Sequence, residues 1–260
     1  MNRALGILLL LPRILLAIAN SLLHVAIVLP YINSKQSTAF NFRARMLRSW
    51  AYTCRLIFGM QLSVYQQPSS RKIRGGCLIV SNHVSYWDAF TVGAIFKKTF
   101  LAKAEVQKIP ILGKGARAAG LLFVERGSHK SRSETIGKIR KTLLSGQKIV
   151  VFPEGTTNNV PHVHKFNDGS FHALVSDQGR RKKIRLLPMA VSYSRFREHG
   201  WGNEPGLAHF LKSASYLYHR AVIVCGKPYF PTASSAREIS AEAQSKCTEL
   251  FAKAHFITGS

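Results

Sequence analysis

Residues 77–88 read CLIVSNHVSYWD. The first five form an apolar run closed by a serine, the composition of a strand covered on both faces. Asn82-His83-Val84 interrupts the run. Ser85, followed three residues later by Asp88, has the spacing of a helix start. A strand passing through a short loop into a helix is the opening half of a βαβ unit. The same alternation continues along the chain. Strands are expected at Cys77–Ser81, Leu121–Val124, Ile149–Phe152, Ile184–Tyr193 and Ala221–Cys225, and helices at Tyr86–Phe96, Ser131–Leu144, Gly169–Ser176 and Ala236–Ala252. Continuous β-branched runs separated by helices predict an α/β fold, a mainly parallel mixed sheet with helices on both faces. There is no internal repeat and no low-complexity tract, and the basic run 180–183 reads as a solvated loop.

This register puts His83 at the C-terminal end of a strand, where α/β sheets place ligands. Asp88 lies five positions later. On one continuous helix, five residues turn about 500° and leave the two side chains roughly 140° out of phase. They can meet if His83 lies in the loop and Asp88 in the first helical turn, with Ser85 as N-cap. His83 is then a general base and Asp88 the carboxylate that fixes its tautomer. A structural reading competes: Ser85-x-x-Asp88 is itself a capping box, which leaves His83 an ordinary strand-end histidine. A second strand end, VFPEGTT at 151–157, sets Glu154 at the sheet rim beside a flexible Gly155, with a tight turn as the alternative. The chain has no nucleophile elbow, no P-loop and no dinucleotide-binding glycine fingerprint. His162 and His164 alternate in a polar loop without a third ligand at suitable spacing, so no metal is expected.

Composition widens the question. Among 260 residues, 37 Lys+Arg stand against 12 Asp+Glu, a formal charge of +25, while 46% are hydrophobic. That apolar fraction excludes a disordered basic tail. The charge requires an anionic partner, either nucleic acid, a lipid surface or a polyanionic substrate. Residues 5–32 are almost wholly apolar, and the 19 residues from Ile14 to Ile32 carry no charge. As a helix they span roughly 28 Å, close to a bilayer core. A membrane anchor is expected there, against the alternatives of a cleaved signal peptide or a buried core helix. Pro12, Arg13 and Pro30 fit a kinked or re-entrant segment as well as a straight span. Residues 40–60, FNFRARMLRSWAYTCRLIFGM, interleave Arg43, Arg45, Arg48 and Arg55 with apolar and aromatic side chains. Such a stretch suits an anionic lipid surface, or else simply covers the domain. Lys35 and these arginines follow the apolar run, which favours a cytoplasmic location for the remainder. Residues 1–60 are thus expected to be membrane-anchoring helices and 61–260 the catalytic domain. Cys54, Cys77, Cys225 and Cys247 lie far apart with no CxxC pair, as reduced, cytosol-facing thiols would.

Together the two strand-end segments resemble the glycerolipid acyltransferase family, whose lysophosphatidic acid acyltransferases add the second acyl chain to lysophosphatidic acid. The resemblance runs from about Gly76 to Ser194. Asn82-His83 with Asp88 looks like the family's histidine–aspartate motif. Gly120 to Arg126 looks like the second motif, ending in an acceptor-binding arginine, and Phe152-Pro-Glu-Gly-Thr156 like the third. Leu187-Pro188 before Met-Ala-Val looks like the fourth. Lys103, Glu105, Pro110 and Gly113 match a stretch between the first two, and Phe166 to Gly169 the segment after the third.

The resemblance implies a direct transfer without acyl-enzyme, metal or cofactor. His83, held by Asp88, deprotonates a lysolipid hydroxyl, and the oxygen attacks a thioester of acyl-CoA or acyl-acyl carrier protein. It implies that Arg126 and Lys103 bind anionic groups of acceptor or donor, and that Asn82, Glu154, Gly155, Thr156 and Thr157 border the same site. The implied partners are an anionic membrane surface, a lysolipid acceptor and an acyl carrier, at the cytoplasmic face of a bacterial inner membrane. The expected acceptor is 1-acyl-sn-glycerol-3-phosphate, giving phosphatidic acid. One position departs from the pattern. Many members carry arginine where this chain has Thr157, and that removes a bidentate phosphate donor. The threonine form also occurs in relatives that acylate lyso-ornithine lipid, so that lipid or another lysolipid is the alternative acceptor. A thioesterase using the same pair is a further alternative. A non-enzymatic basic binder of membrane or nucleic acid is another. No nucleic-acid partner is expected, because zinc-finger spacing, an RNA-recognition motif and a recognition-helix pattern are all missing.

Overall fold

The computed structural model describes residues 2–34, 36–66, 73–110, 112–124, 129–175 and 184–259. Three helices lead the chain: α1 (Asn2–Leu8), α2 (Leu10–Val28) and α3 (Ser37–Ile57). Then come β1 (Met60–Gln66), β2 (Cys77–Ser81), α4 (Asp88–Thr91), β3 (Thr99–Lys103), α5 (Leu112–Ala118), β4 (Leu122–Val124), α6 (His129–Leu144) and β5 (Lys148–Val151). A 3₁₀ turn at Gly169–Ala173 precedes β6 (Arg185–Tyr193), α7 (Phe196–His199), α8 (Gly206–Ala214), β7 (His219–Cys225) and α9 (Ala236–Thr258).

The strands form one seven-stranded sheet in the order β1-β7-β6-β2-β5-β3-β4. Every neighbouring pair is parallel except β6 with β7. Helices pack around it, α9 on β6 and β7, α6 on β4 and β5. β2 lies at the centre with all five residues buried, as its unbroken apolar run requires. The expected strands all appear, shifted by a residue or two at their ends. Two further strands, β1 and β3, complete the sheet. β1 (MQLSVYQ) is an edge strand paired only with β7, and its mixed polar sequence reflects that half-exposed place.

The helices depart more from expectation. The stretch expected as one helix over Tyr86–Phe96 contains only the short α4 and turns. Gly169–Ala173 is a 3₁₀ turn rather than an α-helix. α9 runs six residues beyond the expected end. A full Ser235–Glu238 capping box starts it, and Gly259 at φ 68° stops it. The basic run 180–183 lies outside the described residues.

α2 and α3 pack against each other and against the sheet domain. Arg13 of α2 is buried and donates to the Tyr216 carbonyl at 2.9 Å and the Leu217 carbonyl at 2.6 Å. A Cβ on Gly59 would lie 2.5 Å from the Leu217 carbonyl oxygen, so the chain turns from α3 into β1 where only glycine fits. The arginines of α3 do not all face outward. Arg43 is buried and donates to the carbonyls of Tyr31, Ile32 and Ser34, closing the α2–α3 connection, while Arg48 donates to Ala94 and Arg55 to Met60. The covering role thus takes Arg43 away from any lipid-facing one. All four cysteines are buried free thiols.

Candidate active site

Four segments converge at the C-terminal ends of β2, β5 and β6. The loop after β2 carries His83, half-buried, and α4 opens with Asp88, fully buried. His83 Nδ1 lies 2.6 Å from Asp88 Oδ2. The same oxygen accepts the backbone N–H groups of Val84 at 2.8 Å and Ser85 at 3.2 Å. The His83–Asp88 contact forms, whereas the capping box does not: Asp88 is the first residue of α4, and its Oδ2 gathers the imidazole together with two N–H groups of the preceding loop. Ser85 is not the N-cap. That position falls to Trp87, whose N–H is accepted by the Ser85 hydroxyl at 3.3 Å. With Nδ1–H donated to Asp88, the lone pair of His83 sits on Nε2. The imidazole stacks on Phe152, centroids 4.2 Å apart and planes 13° from parallel.

Asn82 was expected to touch substrate. Instead it is buried, and its amide is spent on the sheet: it accepts from Val191 N–H at 2.9 Å and donates to Val191 C=O at 3.0 Å. The β2–β6 ladder ends at Ser81↔Met189, and the Asn82 side chain extends it by one mimicked pair. Glu154 is also buried, one carboxylate oxygen facing the His83 N–H at 3.4 Å and the other accepting from Asn158 at 3.2 Å. Burial and the nearby Asp88 charge push its pKa up to about 8 against these donors. Gly155, at φ 72°, makes the turn that brings Glu154 back under the loop, and Asn167 ties that turn down through the carbonyls of Pro153 and Glu154.

His83 opens onto a cavity of about 650 Å³. Tyr86, Lys103, Phe152, Gly155, Thr156 and Thr157 share its wall with Trp50 of α3 and with Ser21, His24 and Val25 of α2. Most of the lining is aliphatic or aromatic. The site thus brings together His83, Asp88, Glu154, Gly155, Thr156, Thr157 and the exposed Lys103 at the end of β3. Arg126 lies outside the described residues. His162 and His164 stack edge-on at 4.2 Å, and among the described residues no three His, Cys, Asp or Glu side chains gather as a metal site would require.

Residues 61–192, just over half of the chain, match the family described as Acyltransferase. The chain belongs to the acyltransferase family. A lyso-ornithine lipid O-acyltransferase of Pseudomonas aeruginosa is 35% identical over 153 residues, covering 59% of this chain and 55% of that one. A 1-acyl-sn-glycerol-3-phosphate acyltransferase of Neisseria gonorrhoeae is 31% identical over 118 residues, covering 45% and 44%. The chain spans about half the length of these two relatives. The crystal structure of the 1-acyl-sn-glycerophosphate acyltransferase of Thermotoga maritima shares the fold, with a TM-score of 0.74 at 18% identity over 97% of each chain.

Within this acyltransferase fold, one side chain at the site had no sequence signal. Tyr193, the last residue of β6, is fully buried and donates its hydroxyl to Asp88 Oδ1 at 2.7 Å. It lies 105 positions from Asp88, outside every quoted motif.

Proposed function

We propose that the chain moves a fatty acyl group from an acyl thioester to the free hydroxyl of a lysolipid. One observation carries the reading: the 2.6 Å His83–Asp88 contact beside a largely apolar cavity. His83 Nε2 takes the hydroxyl proton as the oxygen attacks the thioester carbonyl. The tetrahedral intermediate collapses, the C–S bond breaks, and the thiolate leaves with the proton from the imidazolium. Asp88 stabilises that imidazolium without itself taking the proton. The apolar cavity suits an acyl chain. Lys103, on its wall, and Arg126 are assigned to anionic groups of acceptor or donor. Gly155, Thr156 and Thr157 border the acceptor, while Glu154 and Asn82 hold the His83 loop. The donor is a co-substrate, acyl-CoA or acyl-acyl carrier protein, and the reaction as proposed uses no metal and no cofactor.

The acceptor proposed first is 1-acyl-sn-glycerol-3-phosphate. A specific observation favours a second reading: Thr157 lines the cavity where the family pattern places a phosphate-binding arginine, and lyso-ornithine lipid carries no phosphate. Residues 1–60 are proposed to seat the 61–260 domain on the anionic cytoplasmic face of a bacterial inner membrane. Among the described residues one helical segment, Leu10–Tyr31, is long and apolar enough to cross a membrane, with a mean hydropathy of 2.0, and its outer face is solvent-exposed.

Thioester release in detergent, with each carrier and both lysolipids, tests the reaction. Lysolipid-dependent release should fall by roughly 10²–10⁴ in His83→Ala, the range a general base supplies, with an unchanged circular dichroism spectrum. Near-parental turnover in that variant sinks the assignment. Release that ignores the lysolipid points to a thioesterase instead.

A further inference from the structure

Asp88 is buried with four donors on two oxygens. Oδ2 takes His83 Nδ1 and the backbone N–H groups of Val84 and Ser85. All three come from the same short loop, so they leave Oδ1 to be satisfied from elsewhere. The only donor on Oδ1 among the described residues is Tyr193, at 2.7 Å. With its proton given to Asp88, the Tyr193 hydroxyl oxygen accepts from Thr91 Oγ1 at 3.0 Å, the Trp87 carbonyl at 3.2 Å being the alternative acceptor for that one Thr91 proton. The chain of hydroxyls thus begins and ends on the helix that carries Asp88.

The sheet aims this hydroxyl. The Asn82 amide clamps Val191 on both its backbone polar groups. Val191 and Tyr193 are two apart on β6 and therefore share a face. The clamp that positions the residue before His83 also sets the register of Tyr193. The ring itself is held by parallel stacking on buried His199, 5.4 Å between centroids and 1° between planes. His199 is held through Arg195 C=O and His219.

We infer that Tyr193 is a positioning residue for the His83–Asp88 pair, fixing the rotation of the Asp88 carboxylate so that Oδ2 faces the imidazole. This rests on the acyl-transfer reading of that pair. Tyr193 has no exposed surface and does not line the cavity, so it acts on substrate only through Asp88. Burial and the adjacent Asp88 charge push its own ionisation upward, which keeps the hydroxyl a donor. The other titratable groups about the pair are Glu154, bonded to the His83 N–H, Lys103 on the cavity wall, and His199 behind the tyrosine ring.

Tyr193→Phe removes one oxygen and keeps the ring. Turnover should fall about tenfold, equivalent to about 1.4 kcal/mol, with KM for both substrates within about twofold. A carboxylate that loses a donor presents more of its charge to the imidazolium, so the His83 signal followed by NMR across pH should move upward relative to the parent protein. The acid limb of kcat/KM should move with it. Thr91→Val, which removes only the second partner of the hydroxyl, should shift the same readouts in the same direction by less, and serves if the phenylalanine variant does not fold. Parental kcat with a parental His83 titration overturns the inference. So does a loss of activity that tracks the melting temperature while the titration stays put, because that marks a scaffold role alone. If the parent protein consumes no thioester, the acyl-transfer reading fails, and the NMR titration still reports whether Tyr193 is coupled to His83.

Discussion

Glu154 is where burial and the Asp88 charge meet on one residue. The residue is 6% exposed, and burial together with Asp88 raises its pKa to about 8. In the unfolded chain a glutamate titrates near ~4.3. Between those values the folded protein keeps a proton that the unfolded chain releases. Glu154 therefore contributes its full stability below about pH 4.3, and that contribution is lost as pH rises through about 8. Glu154→Gln retains a neutral side chain across the whole interval. Its melting temperature should gain on that of the parent protein steadily from pH 5 to pH 8.5, for a relative stabilisation of up to a few kcal/mol. Paired thermal scans decide it, and a difference that does not vary with pH rules the raised pKa out. His83 and Asp88 are tied to this group through the His83 N–H, so the activity of the glutamine variant also reports how far the loop depends on it.

At the scale of elements, the loop after β2 is held from both sides by strands. Asn82 carries the β2–β6 ladder one step past its end, and both polar atoms of Val191 are buried with it. Asn82→Ala leaves a donor and an acceptor unpaired and should cost about 2–4 kcal/mol in urea unfolding. A substrate contact would instead raise KM and leave stability alone. The strands around this loop were legible because a central parallel strand must be apolar throughout, as in CLIVS and IVVF. β1 was not, because an edge strand of MQLSVYQ carries only half of that pattern. β3 was not either, since TFLAK follows Lys97-Lys98 and two lysines mark a surface loop. Lys98 is nevertheless buried and donates to the carbonyls of Val92 and Phe96 just beyond α4, a contact set by tertiary packing. The His83–Asp88 pairing was legible because both partners lie within six residues. Tyr193 was not, because nothing in a strand ending VSY marks a tyrosine whose partner is 105 residues away.

Across the whole molecule, α2 has two chemically distinct sides. One side faces the protein. Arg13 bonds the 216–217 carbonyls, Asn20 donates to Trp50 C=O at 3.4 Å, and Ser21 accepts from Trp50 Nε1 at 3.0 Å. Further along, Val25 packs on α5, where a Cβ on Gly115 would approach it to 2.9 Å. From Arg13 to Val25 the helix thus stays against the protein for about 18 Å of its length. The other side exposes Leu11, Leu15, Leu16, Leu22 and Leu23, each between 51% and 65% accessible. An upright span would carry the segment around Tyr216, with its backbone polar groups, into hydrocarbon, which costs several kcal/mol per unsatisfied group. A helix lying in the plane of one leaflet avoids that. In that seating, proposed above for residues 1–60, the inner side would rest on the protein and the outer leucines would enter acyl chains. Such seating would open the wall of the His83 cavity, which α2 helps to build, next to the layer that would hold the proposed lysolipid. Leu15→Asp with Leu22→Asp should therefore cut co-sedimentation with anionic vesicles by at least tenfold, given about 1.5–3 kcal/mol for each leucine kept from burial. Activity on detergent-dispersed lysolipid should stay near parental, because neither leucine lines the cavity. Undiminished vesicle binding would mean that the basic surface alone holds the protein at the membrane. That outcome is separable in turn, since binding through charge alone collapses at high salt while an inserted leucine face persists.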